Sequence, residues 1–163
     1  APLAAGVLLA FAGAAQAASK TASFTVSATV GKNCTISAAP LALGAFVGDN
    51  DLTAQSDITV RCTAGTAFTI ALDDGVTGTY AGRRMTSAGG DFLVYNLYTD
   101  GTYGTVWGDG VGGTTGTLGG VGAGMGIANE LTRTVHGRLL AADNGGAVGA
   151  GAYSDTIVAT ITY

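Results

Sequence analysis

The side chains able to do chemistry in this 163-residue sequence are few. They are Cys34 and Cys62, the single histidine His136, the aspartates Asp73/Asp74 and Asp100/Asp109, and the dipeptide Arg83-Arg84. A serine–histidine–aspartate relay needs an imidazole held between a hydroxyl and a carboxylate. His136 lies in Thr132-Arg-Thr134-Val-His136-Gly-Arg138, whose alternation places it with Thr132, Thr134 and Arg138 on a solvated polar face. The aspartates sit in turn sequences, where Asp bonds its neighbouring backbone, so they do not read as a glycosidase pair. Gly108-Asp-Gly110-Val-Gly-Gly113 spells a dinucleotide fingerprint, but such a site needs a helix directly after it to face the pyrophosphate. Thr-Thr-Gly-Thr-Leu-Gly-Gly follows instead and reads as a hairpin loop. Arg83-Arg84 reads as a solvated edge, or as a partner of Asp73 or Asp74, rather than an anion site. The sequon Asn33-Cys34-Thr35 is set aside because its middle residue is a cysteine. One histidine and two cysteines are too few for a structural metal centre. The expectation is a non-enzyme with no cofactor and no small-molecule substrate.

The elements around these residues describe an exported β protein. Leu3, Val7, Leu8, Leu9 and Phe11 form a short apolar run, and Ala15-Gln16-Ala17 has the A-x-A form of a signal-peptidase site. Residues 1–17 therefore read as the remnant of a secretory leader, cleaved between Ala17 and Ala18. The run is shorter than the roughly 20 residues a membrane span needs. In an exported chain, two cysteines are most simply one disulfide, Cys34–Cys62. Charged residues make up 11% of the chain and the net charge is −4, which leaves no basic patch for nucleic acid and no polybasic segment for a membrane. Glycine occurs 28 times, with Thr, Val, Ala and Ser dominating the rest, so strands and turns are favoured over helices.

Strand candidates recur between turn signals, as in a sandwich or barrel. They fall at 22–30, 33–37, 41–46, 57–62, 67–72, 83–85, 91–98, 105–107, 129–139 and 153–163, with glycine-rich loops at 108–128 and 141–151. In the first, Ala22, Phe24, Val26, Ala28 and Val30 alternate with Ser and Thr, the period of a strand with one dry face. It stands outside the span enclosed by the two cysteines. In the last, Ile157, Ala159, Ile161 and Tyr163 share one register.

In order along the chain, several segments resemble the spore coat protein U domain, the subunit family of archaic chaperone–usher pili. They are Phe24-Thr-Val26-Ser-Ala28-Thr-Val30 before Cys34-Thr-Ile36, then Leu41-Ala-Leu43-Gly44, Ile58-Thr-Val60-Arg-Cys62 and Phe68-Thr-Ile70-Ala-Leu72. Arg84-Met85, Tyr95-Asn96-Leu97-Tyr98, Trp107-Gly108-Asp109-Gly110 and the terminal 151–163 complete the set. Tyr95–Tyr98 and Trp107–Gly110 are the most specific; 111–128 is richer in glycine and carries nothing over. The resemblance implies an all-β, incomplete immunoglobulin-like sandwich that lacks its last strand and is completed by a donor strand. It implies a periplasmic chaperone that lends a strand, an outer-membrane usher, and other pilin subunits as partners. The product would be a cell-surface pilus for adhesion and biofilm formation. On that reading residues 18–32 are the donor extension and tether, with Phe24, Val26, Ala28 and Val30 entering a neighbour's groove. Residues 33–163 are the body, with Ile157, Ala159, Ile161 and Tyr163 along the acceptor edge. An open sandwich invites such strand addition through its unpaired backbone groups. A self-complemented monomeric coat protein of the same fold is the alternative.

Overall fold

The computed structural model describes residues 16–111, 116–146 and 148–163. Nine strands account for nearly all regular structure in them: β1 (Cys34–Ala38), β2 (Leu52–Cys62), β3 (Ala67–Leu72), β4 (Arg83–Ser87), β5 (Phe92–Tyr98), β6 (Leu118–Val121), β7 (Leu131–Leu139), β8 (Tyr153–Ser154) and β9 (Ala159–Thr162). Two 3-10 turns, Ile127–Asn129 and Ala141–Asn144, are the rest. One sheet runs β1-β2-β7-β5-β4-β8 and the other β6-β3-β9, and the strands pair antiparallel throughout both. The all-β class expected from the alternation forms, and of the sandwich and barrel that it left open the chain takes the two-sheet sandwich that the resemblance implied.

Alternation determines the core. Ile58, Val60 and Cys62 of β2, Leu93, Tyr95 and Leu97 of β5, and Val135 and Leu139 of β7 face Phe68, Ile70 and Leu72 of β3. Trp107, fully buried, closes the cluster, and its indole N–H donates to the Ile70 carbonyl at 2.9 Å. A buried Trp needs such a partner for its one donor.

Cys34 and Cys62 are bonded, directly opposite each other in the β1–β2 register. The bridge closes a 28-residue separation, which the chain-entropy treatment values at about 3.5 kcal/mol. Replacing both cysteines by serine is therefore expected to lower unfolding stability by about that amount, measured by urea titration. An unchanged midpoint would refute it.

Five segments depart from the expected pattern. Residues 41–46 form no strand; Leu41, Leu43 and Phe46 instead lean half-buried on the core from an irregular segment ending near Gly44 and Gly48, both at positive φ. Residues 105–107 make only isolated bridges, Tyr98↔Val106 and Trp107↔Gly116. The glycine-rich stretch 108–128 contains β6, because Gly119 lies so close to β3 that a Cβ there would stand 2.5 Å from the Phe68 carbonyl oxygen. Glycine is ordinarily read as a strand breaker, and here close approach is its use. The stretch 153–163 is two strands in different sheets: β8 pairs β4, and β9 pairs β3. Residues 22–30 carry no strand or helix assignment.

Residues 31–163 form one compact unit, and the segment before Gly31 is a separate one. Residues 1–15 of the expected leader lie outside the described residues, as do residues 112–115 and Ala147 of the two glycine-rich loops.

Candidate functional site

The crossover between β8 and β9 shapes the site. The Asp155 carboxylate accepts the Val76 N–H at 3.0 Å, the Thr156 N–H at 2.8 Å and the Tyr95 hydroxyl at 2.8 Å. Asp73 accepts the Val158 N–H at 2.9 Å, and its own N–H reaches the Val158 carbonyl at 3.1 Å. Residues 155–158 are thus pinned to the turn after β3, and the chain passes from one sheet to the other. Gly75 is required in that turn: it sits at φ +80°, and a side chain there would collide with the Asp155 carboxylate. Burial, and then the hydrogen bond to the Asp155 carboxylate, push the Tyr95 phenol above its ordinary pKa, so it stays a donor.

The crossover opens a groove along the body. One cavity of about 450 Å³ is lined by Pro40, Ile58, Leu72, Leu97, Val135 and Ile157, among others. An adjoining one of about 910 Å³ extends past Phe46, Leu52, Leu93, Leu139 and Val148. They share Leu41, Leu43, Met85 and Tyr153. The walls are mainly aliphatic. β9 is the end strand of its sheet, paired with β3 alone among the described strands. Of the four residues expected on the edge, Ala159 and Ile161 lie in β9, Ile157 lies in the crossover, and Tyr163 follows β9 with half its surface exposed. Ile157 and Ala159 line the 450 Å³ cavity.

Residues 16–30 have no regular structure. Phe24, Val26 and Val30 are 88, 82 and 82% exposed, and Ala28 is exposed as well. Ala17 and Ala18 are exposed in the same irregular segment.

A buried polar bolt ties the two sheets beside the groove. Arg83, expected on a solvated edge or against an Asp73 or Asp74 carboxylate, is 0% exposed. Its guanidinium donates to the Asp73 carbonyl (2.9 and 2.6 Å), the Trp107 carbonyl (2.7 Å) and Asn96 Oδ1 (2.7 Å). Asn96 passes the network on through its Nδ2 to the Tyr80 carbonyl at 2.8 Å. Three segments the sequence singled out, around Arg83, Asn96 and Trp107, therefore meet at one place. Alternation held the only advance signal: Arg83 shares its face with Met85, which packs on the core. Burial pulls the Arg83 pKa below its usual value, though the site still receives a cation. Arg84 is exposed, its guanidinium 4.4 Å from the Phe92 ring centre.

The remaining candidates do local work. Asp100 accepts the Thr102 N–H at 2.9 Å and its hydroxyl, which hold its carboxyl below the ordinary range. Asp109 accepts the Val111 N–H at 2.9 Å. His136 pairs with Tyr98 and Gln55 in neighbouring strands and is half-buried rather than solvated, and its Nδ1 is buried with no hydrogen-bond partner among the described residues.

The comparisons agree with this architecture. A solved structure, the CsuC–CsuE chaperone–tip adhesion subunit pre-assembly complex from the archaic chaperone–usher Csu pili of Acinetobacter baumannii, superposes with a TM-score of 0.57 at 21% identity. The match covers 83% of this chain and 40% of that one, and it shows the shared fold. Protein U of Myxococcus xanthus is 33% identical over 169 residues, spanning 91% of this chain and 88% of that protein. Residues 20–160 match the Spore Coat Protein U domain, and with nearly the whole body inside that match the chain belongs to this family.

Proposed function

We propose that this protein is a subunit of a secreted surface fibre assembled by donor-strand complementation. The observation that carries the reading is the aliphatic groove beside the unpaired edge of β9, in a chain that also carries an alternating apolar extension at 22–30. A strand laid along that edge would pair with β9 and send alternate side chains into the groove. Phe24, Val26, Ala28 and Val30 supply such a set, and burying a Phe or Val side chain contributes about 1.5–3 kcal/mol. Gly31-Lys32 would serve as the tether. Donation from one subunit to the next is a heterologous contact and generates an open filament rather than a ring.

On this reading residues 1–17 are a leader removed between Ala17 and Ala18, and the mature chain folds in an oxidising compartment, as the disulfide fits. The solved neighbour is a pilus subunit captured with its chaperone, which supports a periplasmic chaperone as a partner here. An outer-membrane usher and further copies or relatives of this subunit complete the partner set, and attachment and biofilm formation are the expected use of the fibre. The family and the sequence both favour a structural role over an enzymatic one.

Electrophoresis in SDS without boiling tests the proposal, comparing the mature protein with a variant lacking residues 18–30. A ladder that collapses on boiling and is absent from the truncation is expected. A lone monomer band from the intact protein, with the truncation unfolded, would instead make the chain self-complementing and take it out of the fibre class.

A further inference from the structure

The three-stranded sheet has two ends, β6 and β9, and they are treated differently. β6 is short and carries Gly119-Gly120 at its centre, so its two central residues have no side chains of their own to shield the edge. The Gly122 N–H bonds the Thr66 carbonyl toward β3. The two-residue alternation of an antiparallel ladder then turns the Gly119 carbonyl outward, away from β3. An outward carbonyl on an edge strand is a docking point for another chain. Here it is occupied: Arg133 of β7, in the opposite sheet, donates to it from Nε at 3.1 Å and Nη2 at 2.7 Å. Its remaining terminal nitrogen donates to the Thr132 carbonyl at 2.9 Å. Gly120 lies against the same group: a Cβ there would stand 2.6 Å from the Arg133 guanidinium. Among the described residues no Arg or Lys side chain donates to a β9 carbonyl, and Thr160 and Thr162 on β9 are exposed.

We propose that Arg133 closes the β6 edge to strand addition, so that incoming strands are directed to β9. The β9 half of this statement rests on the fibre reading above; the β6 half does not. Arg133 is thus a specificity-determining residue for assembly. A guanidinium suits the task because it is always charged and its planar fork can place two donors on one oxygen.

The test uses the full mature chain with a photo-crosslinking amino acid at Val121, 59% exposed on β6, or at Thr160 on β9. The wild-type background is expected to give intermolecular products from Thr160 and not from Val121. Arg133→Met, which keeps the aliphatic stem and removes the donors, is expected to raise the Val121 product severalfold. Arg133→Lys, which restores a donor, should bring it back down. A folded Arg133→Met protein with no gain at Val121 overturns the proposal. So does a wild-type Val121 product equal to that from Thr160, an arm that needs no variant to fold. Absence of Thr160 products throughout would count against the fibre reading, while the Val121 comparison still decides the role of Arg133.

Discussion

Replacing Arg83 by methionine is expected to cost about 3–5 kcal/mol of stability, because it strips the donors from several buried neutral acceptors at once. The stem would still fill its space, but the Asp73 and Trp107 carbonyls and Asn96 Oδ1 would lose the charged donor that holds them. Buried acceptors left without partners cost about 1–3 kcal/mol each. The loss would be felt in both sheets at once, since Asp73 follows β3, Arg83 belongs to β4 and Asn96 to β5. At about 3 °C per kcal/mol for a domain of this size, the thermal midpoint should fall by roughly 10–15 °C. The control is its sequence neighbour: Arg84→Met removes only an exposed contact with Phe92 and should change stability by less than about 1 kcal/mol. Equal effects at the two positions, read by calorimetry, would show that the buried network contributes little.

Val26→Lys is expected to abolish polymers while leaving folded, disulfide-bonded monomer. Val26 is 82% exposed, so the substitution has little to disturb within its own chain. In a neighbour's groove the ammonium would face the aliphatic walls without a partner, a penalty of several kcal/mol for a desolvated charge. Ser27→Lys, one residue along on the polar face of the alternation, should polymerise normally. Unboiled electrophoresis and electron microscopy read both variants. Ordinary fibres from Val26→Lys would remove residues 22–30 from the donor role.

The strands that were legible in the sequence are those whose two faces differ in kind. In 57–62, 67–72, 91–98 and 129–139, strict or near-strict alternation marks one side for the core, and each becomes a central strand. Residues 41–46 have the same composition without a strand to pair with, and they fold as an irregular wall of the groove. The edge strand β6 was hidden for the opposite reason: two glycines erase the alternation that would have announced it.

Readable from the residues alone are the all-β class, the inward faces of the central strands, the Cys34–Cys62 pairing and the segments that mark the family. All of these follow from local periodicity or from residue type. It took the packing of the two sheets to set that one apparent strand at 153–163 serves both of them, that Arg83 is buried while Arg84 is not, and that Arg133 caps a carbonyl of the β6 edge while β9 has no such cap among the described residues. Each of those depends on a polar partner distant in sequence: Asp155 with Tyr95 sixty residues away, Val158 with Asp73 eighty-five away, Arg83 with Trp107 twenty-four away, Arg133 with Gly119 fourteen away. Alternation states which way a side chain faces; it does not state which backbone group will be waiting there, because that is set by how the two sheets stack.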